Sequence, residues 1–385
     1  MELTKTKYMQ TEVGLIPEDW EITKLGLLTH RIGDGIHATP IYSENGEYYF
    51  INGNNLSNGK IVITDSTRKV SEREFIIHKR DLTHSTILIS INGTIGNLAF
   101  YNNEKIILGK SAAYINLTNQ INKFFIYQLL QTNFIRKYFT NELTGSTIKN
   151  LGVNSIRQTP IPLPPLPEQK AIAEVLSDVD RLIQVTEQKL AKKRAIKQGA
   201  MQKLLTPKED WEVKKLGDFL DYEQPGPYIV ASAEYNDNYN TPVLTAGKTF
   251  ILGYTNEEFG IFENGPVIIF DDFTTATKFV DFNFKVRSSA MKILKKKNDS
   301  VNIRFIYDLM QQIVFPLGDH KRHWIGEYQH IDVSVPNQEE QGRIATILSD
   351  MDKEIELIEQ QIAKYKTLKQ GLMQELLTGK TRLTV

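Results

Sequence analysis

Apolar residues recur at intervals of three and four positions in two long segments of the chain. In the later segment this spacing runs from Ile344 to Ile362, and in the earlier one it runs from Ile172 to Leu190, with Thr186 at one apolar position. Such spacing places the side chains along one stripe of an α-helix, so each segment predicts a long helix that packs against another. The predicted helix–helix seam comprises Ile172, Leu176, Val179, Ile183, Leu190, Ile344, Leu348, Met351, Ile355, Ile358 and Ile362.

The two helical segments also share their sequence. The segment that begins at Glu168 recurs, in most residue types, 172 positions later from Glu340. A shorter repeat, Glu-Asp-Trp-Glu, places Trp20 and Trp211 ahead of the two variable regions. One unit, a Trp segment followed by a variable domain and a long helix, therefore occurs twice, and the sequence predicts a duplicated architecture.

The variable regions contain both strand and helix signals. Runs rich in β-branched residues at 86–91 and 266–270 precede matching Phe-Ile-Tyr segments at 125–127 and 305–307. We predict a mixed α/β (α+β) fold. The second variable domain connects the end of the first helix to the start of the second, which predicts antiparallel helices in a pseudo-twofold, circular arrangement. The predicted boundaries are a first domain at 1–160, a first helix at 161–206, a second domain at 207–334 and a second helix at 335–385.

The composition is that of an ordinary globular protein. Hydrophobic residues make up 41% and charged residues 24% of the 385 residues, and there is no cysteine. These values exclude disulfides and thiolate metal sites, and without a signal-like or membrane-spanning apolar run we expect a soluble cytoplasmic protein. The net charge of zero argues against nucleic-acid binding by overall charge alone. A chain of zero net charge can still have local basic surfaces.

The motifs that enzyme chemistry would require are missing from the sequence. Two Gly-Lys-Ser/Thr triplets, at 109–111 and 247–249, lack the earlier glycine of a phosphate-binding loop. A methyltransferase would need a glycine-rich cofactor loop and an Asn/Asp-Pro-Pro-aromatic segment, and the chain has neither. His320 and His323 flank a lysine and an arginine without accompanying carboxylates, so no metal site is expected.

Several of these features together resemble the specificity subunit of type I restriction-modification systems. The likeness covers essentially the whole chain. In the first domain, GDGIHATP at 33–40 resembles a segment common in one subtype of target recognition domain. The second domain, with TPVLTAG at 241–247 and FDDFT at 270–274, looks like another subtype. The remaining motifs that carry the resemblance are PLPPLPEQ at 162–169, Leu-Ser-Asp-x-Asp at 176–180 and 348–352, and Lys-Gln-Gly at 197–199 and 369–371.

The resemblance implies a DNA-recognition subunit that is not itself an enzyme. In this family two target recognition domains each read one half of a bipartite, asymmetric DNA site, and the paired helices act as spacer and docking surface. The implied partners are double-stranded DNA, two adenine methyltransferase subunits and a restriction translocase subunit, with no membrane. S-adenosylmethionine is expected on the methyltransferase partner, and no cofactor or metal is expected on this chain.

Candidate DNA contacts are polar and basic residues in the loops of the two domains. Asparagine and threonine side chains can read base edges, whereas lysine and arginine bind phosphates. A plainer interpretation stays open for each, because asparagines near glycine commonly form turns and exposed cations are often merely solvated. Lys110 and Arg287, in matching segments, are candidates for equivalent phosphate contacts. The full set is His37, Thr39, Asn52, Asn54, Asn92, Thr94, Lys110, Thr245, Lys248, Lys278, Arg287, Lys321 and Arg322.

Two other functions remain as alternatives. A coiled-coil adaptor whose two end domains bind proteins would share the repeated helices, and a free-standing enzyme would show methyl transfer by the isolated chain. The two domains differ while the two helices are alike, which favours recognition of an asymmetric DNA site over a symmetric scaffold.

Overall fold

The computed structural model describes residues 7–145, 149–246, 249–316 and 322–383. The chain divides into two compact units, Met1–Thr186 with Gln361–Val385 and Glu187–Gln360. Each division falls inside one of the two long helices, so each unit contains one variable domain and a portion of both helices. Among the described residues, no helix is both long and apolar enough to cross a membrane.

The first unit is built mainly from short strands, with short helices between them. In chain order its elements are β1 (Tyr8–Thr11), β2 (Gly14–Pro17), β3 (Glu21–Lys24), β4 (Thr29–Asp34), β5 (Tyr48–Ile51), β6 (Leu56–Ser57), β7 (Lys60–Ile61), β8 (Lys69–Val70), α1 (Glu72–His78), β9 (Thr86–Ser90), β10 (Leu98–Phe100), β11 (Ile106–Leu108), β12 (Ala112–Leu117), α2 (Lys123–Leu129), α3 (Asn133–Asn141), β13 (Leu143–Thr144), β14 (Asn150–Leu151), α4 (Val153–Gln158), β15 (Pro160–Leu163) and the start of α5 (Leu166–Leu204).

A four-stranded antiparallel sheet, in the order β10-β9-β12-β4, forms the centre of the first unit. A second sheet, in the order β11-β5-β8, pairs β11 and β5 in parallel. Ile87 of the first sheet, Phe125 of α2 and Ile172 of α5 share one buried cluster with Trp20. The strand predicted at 86–91 and the helix predicted at 125–127 are thus β9 and α2, and burial of their apolar faces holds α5 against the domain.

The second unit contains a matching series of elements. They are β16 (Glu212–Lys215), α6 (Leu216–Phe219), β17 (Leu220–Glu223), β18 (Thr241–Leu244), β19 (Ile251–Thr255), β20 (Val267–Asp271), β21 (Thr277–Val280), β22 (Lys285–Val286), β23 (Met291–Lys296), α7 (Ile303–Met310), β24 (Asp332–Val335) and α8 (Gln338–Leu376), whose last part belongs to the first unit.

The sheets of the second unit repeat the topology of the first. The four-stranded order is β17-β23-β20-β21, and in the three-stranded order β19-β18-β22 the strands β18 and β22 are parallel. By position, β17, β23 and β20 correspond to β4, β12 and β9, and β18 and β22 correspond to β5 and β11. Phe305 of α7 packs with Ile268, Trp211 and Ile344 in the core. The predicted mixed fold with a duplicated framework is confirmed.

The boundaries of the long helices differ from the predicted ones. Residues 161–163, predicted to open the first helix, belong to β15, where Ile161 pairs with Thr23. Helix α5 then begins at Leu166 and contains Pro167 in its first turn, a position that needs no backbone N–H partner. Helix α8 begins at Gln338, two residues separate it from the end of β24 at Val335, and Asn337 Oδ1 accepts the N–H of Glu340 at 3.0 Å.

Ion pairs show that the long helices run antiparallel in the second unit. Lys193 Nζ lies 2.7 Å from Glu354 Oε1, and Lys197, one turn later in α5, pairs with Asp352, earlier in α8. Lys193 lies three residues after Leu190, where the seam spacing calls for an apolar residue, as it does at Thr186. Its side chain is satisfied by the facing carboxylate, so the polar substitution does not leave a buried charge unpaired.

The first unit contains the counterpart of this pairing. Lys369 Nζ lies 2.7 Å from Asp180 Oδ1, and these two residues are the sequence repeats of Lys197 and Asp352. The same lysine–aspartate pair therefore occurs once in each unit. Thr186, the other polar seam residue, donates its hydroxyl hydrogen to the carbonyl of Leu182 at 2.7 Å.

Burial along the predicted seam is uneven. The most enclosed seam residues are Ile172, Leu176, Ile344 and Leu348, which also belong to the domain cores. The buried ones are Ile172, Leu176, Val179, Ile183, Ile344, Leu348, Ile358 and Ile362, and the half-buried ones are Leu190, Met351 and Ile355.

A buried glutamine joins each long helix to its domain. Gln169 donates from Nε2 to the carbonyl of Pro164 at 2.9 Å, and its Oε1 accepts the N–H of Asn122, the N-cap of α2, at 3.1 Å. Gln341 makes the same two bonds, each at 2.9 Å, with the carbonyl of the proline five residues earlier and the N–H of Asn302, the N-cap of α7. Both amides are buried and keep their hydrogen bonds, so they specify how each long helix attaches to its domain. We call the bonds of Gln169 and Gln341 the glutamine joint.

Candidate nucleic-acid interface

Most candidate contacts of the first unit lie together at one edge of its four-stranded sheet. Strand pairing places Ala113 opposite Asp34, and Ala112 opposite Ser90. The loops after β4 and β9 and the turn before β12 are therefore neighbours. The N–H of Gly109 in that turn also donates to the carbonyl of Ile51 at 2.8 Å, which brings the end of β5 to the same place. We call residues 35–40, 52–55, 91–97 and 109–111 the first loop edge.

Glycines permit the close backbone contacts at the first loop edge. A Cβ atom on Gly35 would lie 2.2 Å from the carbonyl oxygen of Gly109 and 2.3 Å from that of Leu108. A Cβ on Gly109 would lie 2.3 Å from Asn52 Oδ1. Any larger residue would have to displace main chain at Gly35, so the loops are fixed relative to one another.

Asn52 and Asn55 stabilise the first loop edge from within. Asn52 Oδ1 accepts the hydroxyl of Ser111 at 2.9 Å, and Asn55 Oδ1 accepts the N–H of Asn52 at 3.0 Å. The amide of Asn55 donates to the carbonyl of Val62 at 3.0 Å. The side-chain oxygen of Asn52 is thus bonded within the protein, which agrees with the interpretation of these asparagines as turn formers. Asn54, in contrast, is exposed.

The loop after β9 carries Asn92 and Thr94. Asn92 donates from Nδ2 to the carbonyl of Lys110 at 3.3 Å, and its buried Oδ1 has no hydrogen-bond partner among the described residues. The carbonyl of Thr94 accepts the hydroxyl of Ser90, while the side chains of Thr94 and Lys110 are exposed. The hydroxyl of Thr94 and the amine of Lys110 therefore face solvent beside the constrained amide of Asn92.

His37 and Thr39 complete the first loop edge on its β4 side. His37 Nε2 lies 2.8 Å from Asp34 Oδ2, and 74% of the His37 side chain is exposed. Thr39 is exposed as well. Together with Asn54, Thr94 and Lys110, these residues present hydrogen-bonding groups of several kinds and one cation on a rigid framework.

The second unit has an equivalent edge. The N–H of Asp272 donates to the carbonyl of Ala290 at 3.0 Å, and the N–H of His323 donates to the carbonyl of Asp272 at 2.9 Å. The N–H of Arg287 donates to the carbonyl of Leu244 at 2.8 Å. These bonds join the hairpin after β20, the turn before β23 and the segments after β18 and before β24. We call residues 245–246, 272–276, 287–290 and 322–323 the second loop edge.

Lys110 and Arg287 lie in corresponding turns of the two units, but their positions within those turns differ. Arg287 directly follows Val286, the last residue of β22, whereas Gly109 separates Lys110 from Leu108 at the end of β11. The turn before β23 is one residue longer than the turn before β12, which offsets the two positions. Both side chains are exposed at their respective edges.

The other candidates of the second unit are distributed around its loop edge. Thr245 is half-buried and donates its N–H to the carbonyl of Phe250 at 2.9 Å. Lys278 is exposed on β21, with Nζ 6.0 Å from the centre of the Phe250 ring, and Arg322 is exposed. Lys248 and Lys321 lie outside the described residues.

Two buried lysines support the second unit, and neither was predicted from the sequence. Lys292, 1% exposed, lies 3.7 Å from Asp272 Oδ2, and burial lowers the pKa of its amine. Lys285, fully buried, lies 3.0 Å from Glu257 Oε2 and donates to the carbonyl of Phe259 at 2.5 Å. A lysine is seldom buried, and its carboxylate partners are distant in the sequence, so no local pattern signalled these pairs.

Comparison with known proteins identifies the family of the chain. The family model described as type I restriction modification DNA specificity domain matches residues 17–193 and 208–366. The putative type I restriction enzyme MjaX specificity subunit of Methanocaldococcus jannaschii is 28% identical over 98% of this chain and 97% of its own length. The EcoR124I/EcoR124II specificity subunit of Escherichia coli is 46% identical over a segment covering 35% of each chain.

Solved structures agree on the fold. The S subunit of a type I restriction-modification system from M. genitalium superposes with a TM-score of 0.68 at 16% identity, covering 98% of both chains. A chain from a structural study of type I R-M complex assembly and conformational transition gives a TM-score of 0.52 at 15% identity, covering 95% of this chain and 99% of that one. The two matched domains and the specificity-subunit relatives favour DNA recognition over the coiled-coil adaptor. The chain belongs to the family of type I restriction-modification DNA specificity proteins.

Proposed function

We propose that this chain is the DNA sequence-recognition subunit of a type I restriction-modification complex, and that each unit reads one half of a bipartite, asymmetric DNA site. The observation that carries the proposal is the pair of loop edges. Both rest on the same strand framework, in which the turn before β12 or β23 meets the loop after β9 or β20. A shared framework with different loops is what two readers of different half-sites require.

The side chains at the two edges support an asymmetric site. The first loop edge presents His37, Thr39 and Thr94 beside one exposed lysine. The second presents Arg287 and Arg322. Recognition of a base depends on the donors, acceptors and apolar groups that the protein presents to it. Two loop edges with such different side chains therefore favour different base sequences.

We assign the chemistry of the complex to partner subunits. Two adenine methyltransferase subunits would carry S-adenosylmethionine and modify the site, and a restriction translocase subunit would cleave unmodified DNA. We propose that partner subunits dock on exposed apolar residues of the long helices and cover them on assembly. They are Leu182, Val185, Ile196, Leu357 and Leu368.

The length of the long helices supports the spacer role proposed for them. Each contains 39 residues. At about 1.5 Å per residue such a helix measures roughly 58 Å, more than one helical turn of DNA, which is about 34 Å long. We propose that this length sets the gap between the two half-sites.

Methylome sequencing tests the proposal directly. The chain is co-expressed with its methyltransferase subunits in a host without adenine methylation, and the genome is sequenced for N6-methyladenine. We expect one methylated motif made of two different half-sites separated by an unspecified gap, and no such motif when the chain is omitted. Methylation without sequence preference, or an identical motif in both cultures, would contradict the proposal.

A further inference from the structure

The hairpin between β20 and β21 contains an exposed phenylalanine in a tightly fixed loop. Asp271 Oδ1 accepts the N–H of Phe273 at 3.0 Å, and its Oδ2 accepts the hydroxyl of Thr274 at 2.7 Å. The N–H of Thr275, which has a φ of 58°, donates to the carbonyl of Asp271 at 2.9 Å. One buried carboxylate therefore determines the conformation of the whole tip.

The next residue anchors the same loop to the rest of the second loop edge. Asp272 Oδ1 accepts the N–H of Trp324 at 2.9 Å, and Asp272 Oδ2 faces the buried amine of Lys292. Its main chain bonds to Ala290 and His323. Burying charged carboxylates is costly unless they are paired or hydrogen-bonded, and here Asp271 and Asp272 are both engaged in fixing one short loop.

This arrangement displays an apolar side chain and does not bury it. Phe273 is 41% exposed, and it makes no aromatic or cation contact with another described residue. A phenyl ring exposed to this extent adds less to folding stability than a buried one, because only part of the gain from burial is realised. Its neighbours at the loop edge include the exposed cations Arg287 and Arg322, which suit a phosphate-rich ligand.

The first unit has a different residue at the equivalent position. The N–H of Ile91 donates to the carbonyl of Ser111 at 2.9 Å, as the N–H of Asp272 does to the carbonyl of Ala290. Asn92 therefore corresponds to Phe273. Its amide is turned back onto the protein, whereas the phenyl ring of Phe273 is presented outward.

We propose that Phe273 is a specificity-determining residue that contacts the 5-methyl group of a thymine in the half-site read by the second unit. The thymine methyl is the one apolar feature that a base pair presents in the major groove, and phenylalanine is among the side chains that contact it. The inference rests on the proposed function and names one chemical group that the second loop edge recognises. The rigid apolar ring of Phe273 lies at a loop edge that also carries Arg287 and Arg322. This arrangement is complementary to a thymine methyl group with DNA phosphates on either side.

The test removes single methyl groups from the DNA. Once the methylated motif is known, each thymine of both half-sites is replaced in turn by deoxyuridine, and binding of each duplex by the assembled complex with methyltransferase subunits is measured. We expect one replacement, in one half-site only, to weaken binding about fourfold, the effect of losing one buried methyl-sized group. Phe273→Ala should bind the natural duplex about as weakly and no longer respond to that replacement.

Two further variants complete the design. Phe273→Leu keeps an apolar tip and should retain the response to deoxyuridine. Phe282→Ala removes a phenylalanine that is 39% exposed and follows β21 at the opposite end of the strand, and it should behave as the unaltered chain does. Assembly of each variant with the methyltransferase subunits is checked by size-exclusion chromatography.

The outcomes separate this inference from the proposed function. If the unaltered complex binds its motif selectively but no deoxyuridine duplex binds more weakly, or if Phe273→Ala keeps the response, the methyl contact is refuted and DNA recognition stands. Loss of assembly by Phe273→Ala would show that the ring contacts a protein partner, which also overturns the inference. If the unaltered complex shows no preference among duplexes, the proposed function itself fails.

Discussion

Arg382 binds the carboxylate of Glu168 through two nitrogen atoms, with Nε 2.8 Å from Oε1 and Nη2 2.9 Å from Oε2. The same guanidinium contacts both oxygens of Asp19, at 2.8 and 2.7 Å, and lies 5.8 Å from the centre of the Trp20 ring. These bonds raise the pKa of Arg382 and lower that of Asp19. Residues near both ends of the chain thus meet at the start of α5 within the first unit.

Arg382→Ala should destabilise the first unit. Glu168 is buried and would lose a charged partner, although it would keep the N–H of Leu383 at 3.3 Å and the indole N–H of Trp20 at 3.2 Å. We therefore expect a loss of about 2 kcal/mol in the free energy of unfolding, below the roughly 3–5 kcal/mol of a fully buried pair that loses one partner. Urea unfolding of the full chain, followed by tryptophan fluorescence, measures it.

Lys380→Ala provides the matched control two residues earlier. Lys380 Nζ pairs with Glu375 at 2.6 Å, but the two side chains are 64% and 39% exposed, so removal of the lysine should change the unfolding midpoint little. Equal shifts for Arg382→Ala and Lys380→Ala would contradict a structural role for the Arg382 pairings.

Asp308→Asn should change how stability depends on pH. Burial raises the pKa of Asp308 above its usual 3.8, although hydrogen bonds from Arg304 and the charge of Lys197 oppose this and Asp352 adds to it. A raised folded-state pKa means that stability is lost as pH rises from the unfolded value through the folded one. The stability of Asp308→Asn relative to the unaltered chain should therefore increase as pH rises above about 4.

Asp299→Asn is the comparison for this pH profile. A hydrogen bond from Lys296 lowers the pKa of the exposed Asp299 carboxyl, so its contribution is present above the unfolded pKa and is lost as pH falls. The stability of this variant relative to the unaltered chain should change with pH in the opposite direction. Denaturant unfolding of both variants between about pH 3 and pH 7 gives the two slopes, and slopes of the same sign would refute the assignment.

Lys110→Ala should weaken DNA binding without altering sequence preference. A phosphate contact contributes equally to all duplexes, and removing one lowers the slope of log affinity against log salt concentration by about 1. Lys105→Ala is the control, because Lys105 precedes β11 whereas Lys110 follows it, and Lys105 pairs with Glu47 at 2.7 Å. A change in the methylated motif by Lys110→Ala would indicate a base contact.

Gly35→Ala should disrupt the first loop edge. The added methyl group would lie 2.2 Å from a main-chain oxygen, so β4 and the turn before β12 must separate, at a cost of about 3 kcal/mol. Gly199→Ala, in the interior of α5 with open space around it, should instead stabilise the isolated chain by about 0.5–1 kcal/mol. Thermal unfolding of the two variants gives the comparison, and destabilisation of similar size by both would contradict it.

The sequence predicted the parts of the fold that depend on local pattern and repetition. The seam spacing located both long helices, and chain order predicted their antiparallel course, which the Lys197–Asp352 and Lys369–Asp180 pairs confirm within each unit. The prediction failed at the ends of the helices. Residues 161–163, which the predicted boundary assigned to the first helix, form strand β15 because they pair with β3, far away in the chain.

The candidate site was less predictable for the same physical reason. Whether an asparagine faces DNA or bonds to its own loop depends on distant partners, as the Ser111 hydroxyl shows for Asn52. The buried Lys292 and the Arg382 contacts join residues with no shared motif. The sequence of the segment that contains Phe273 indicated only a domain subtype. The proposed role of Phe273 depends on the burial of Asp271 and Asp272, which local sequence does not reveal.

The glutamine joint has an evolutionary consequence. Gln169 and Gln341 bind their domains only through main-chain groups, a proline carbonyl and the N–H of Asn122 or Asn302. Every amino acid that can form a helix N-cap offers such an N–H, so the joint is indifferent to most of the domain's side chains. An incoming domain exchanged by recombination could therefore keep these two bonds whatever its loops contain, but it would also have to supply partners for Asp180 and Asp352, which Gln128 and Arg304 now bind.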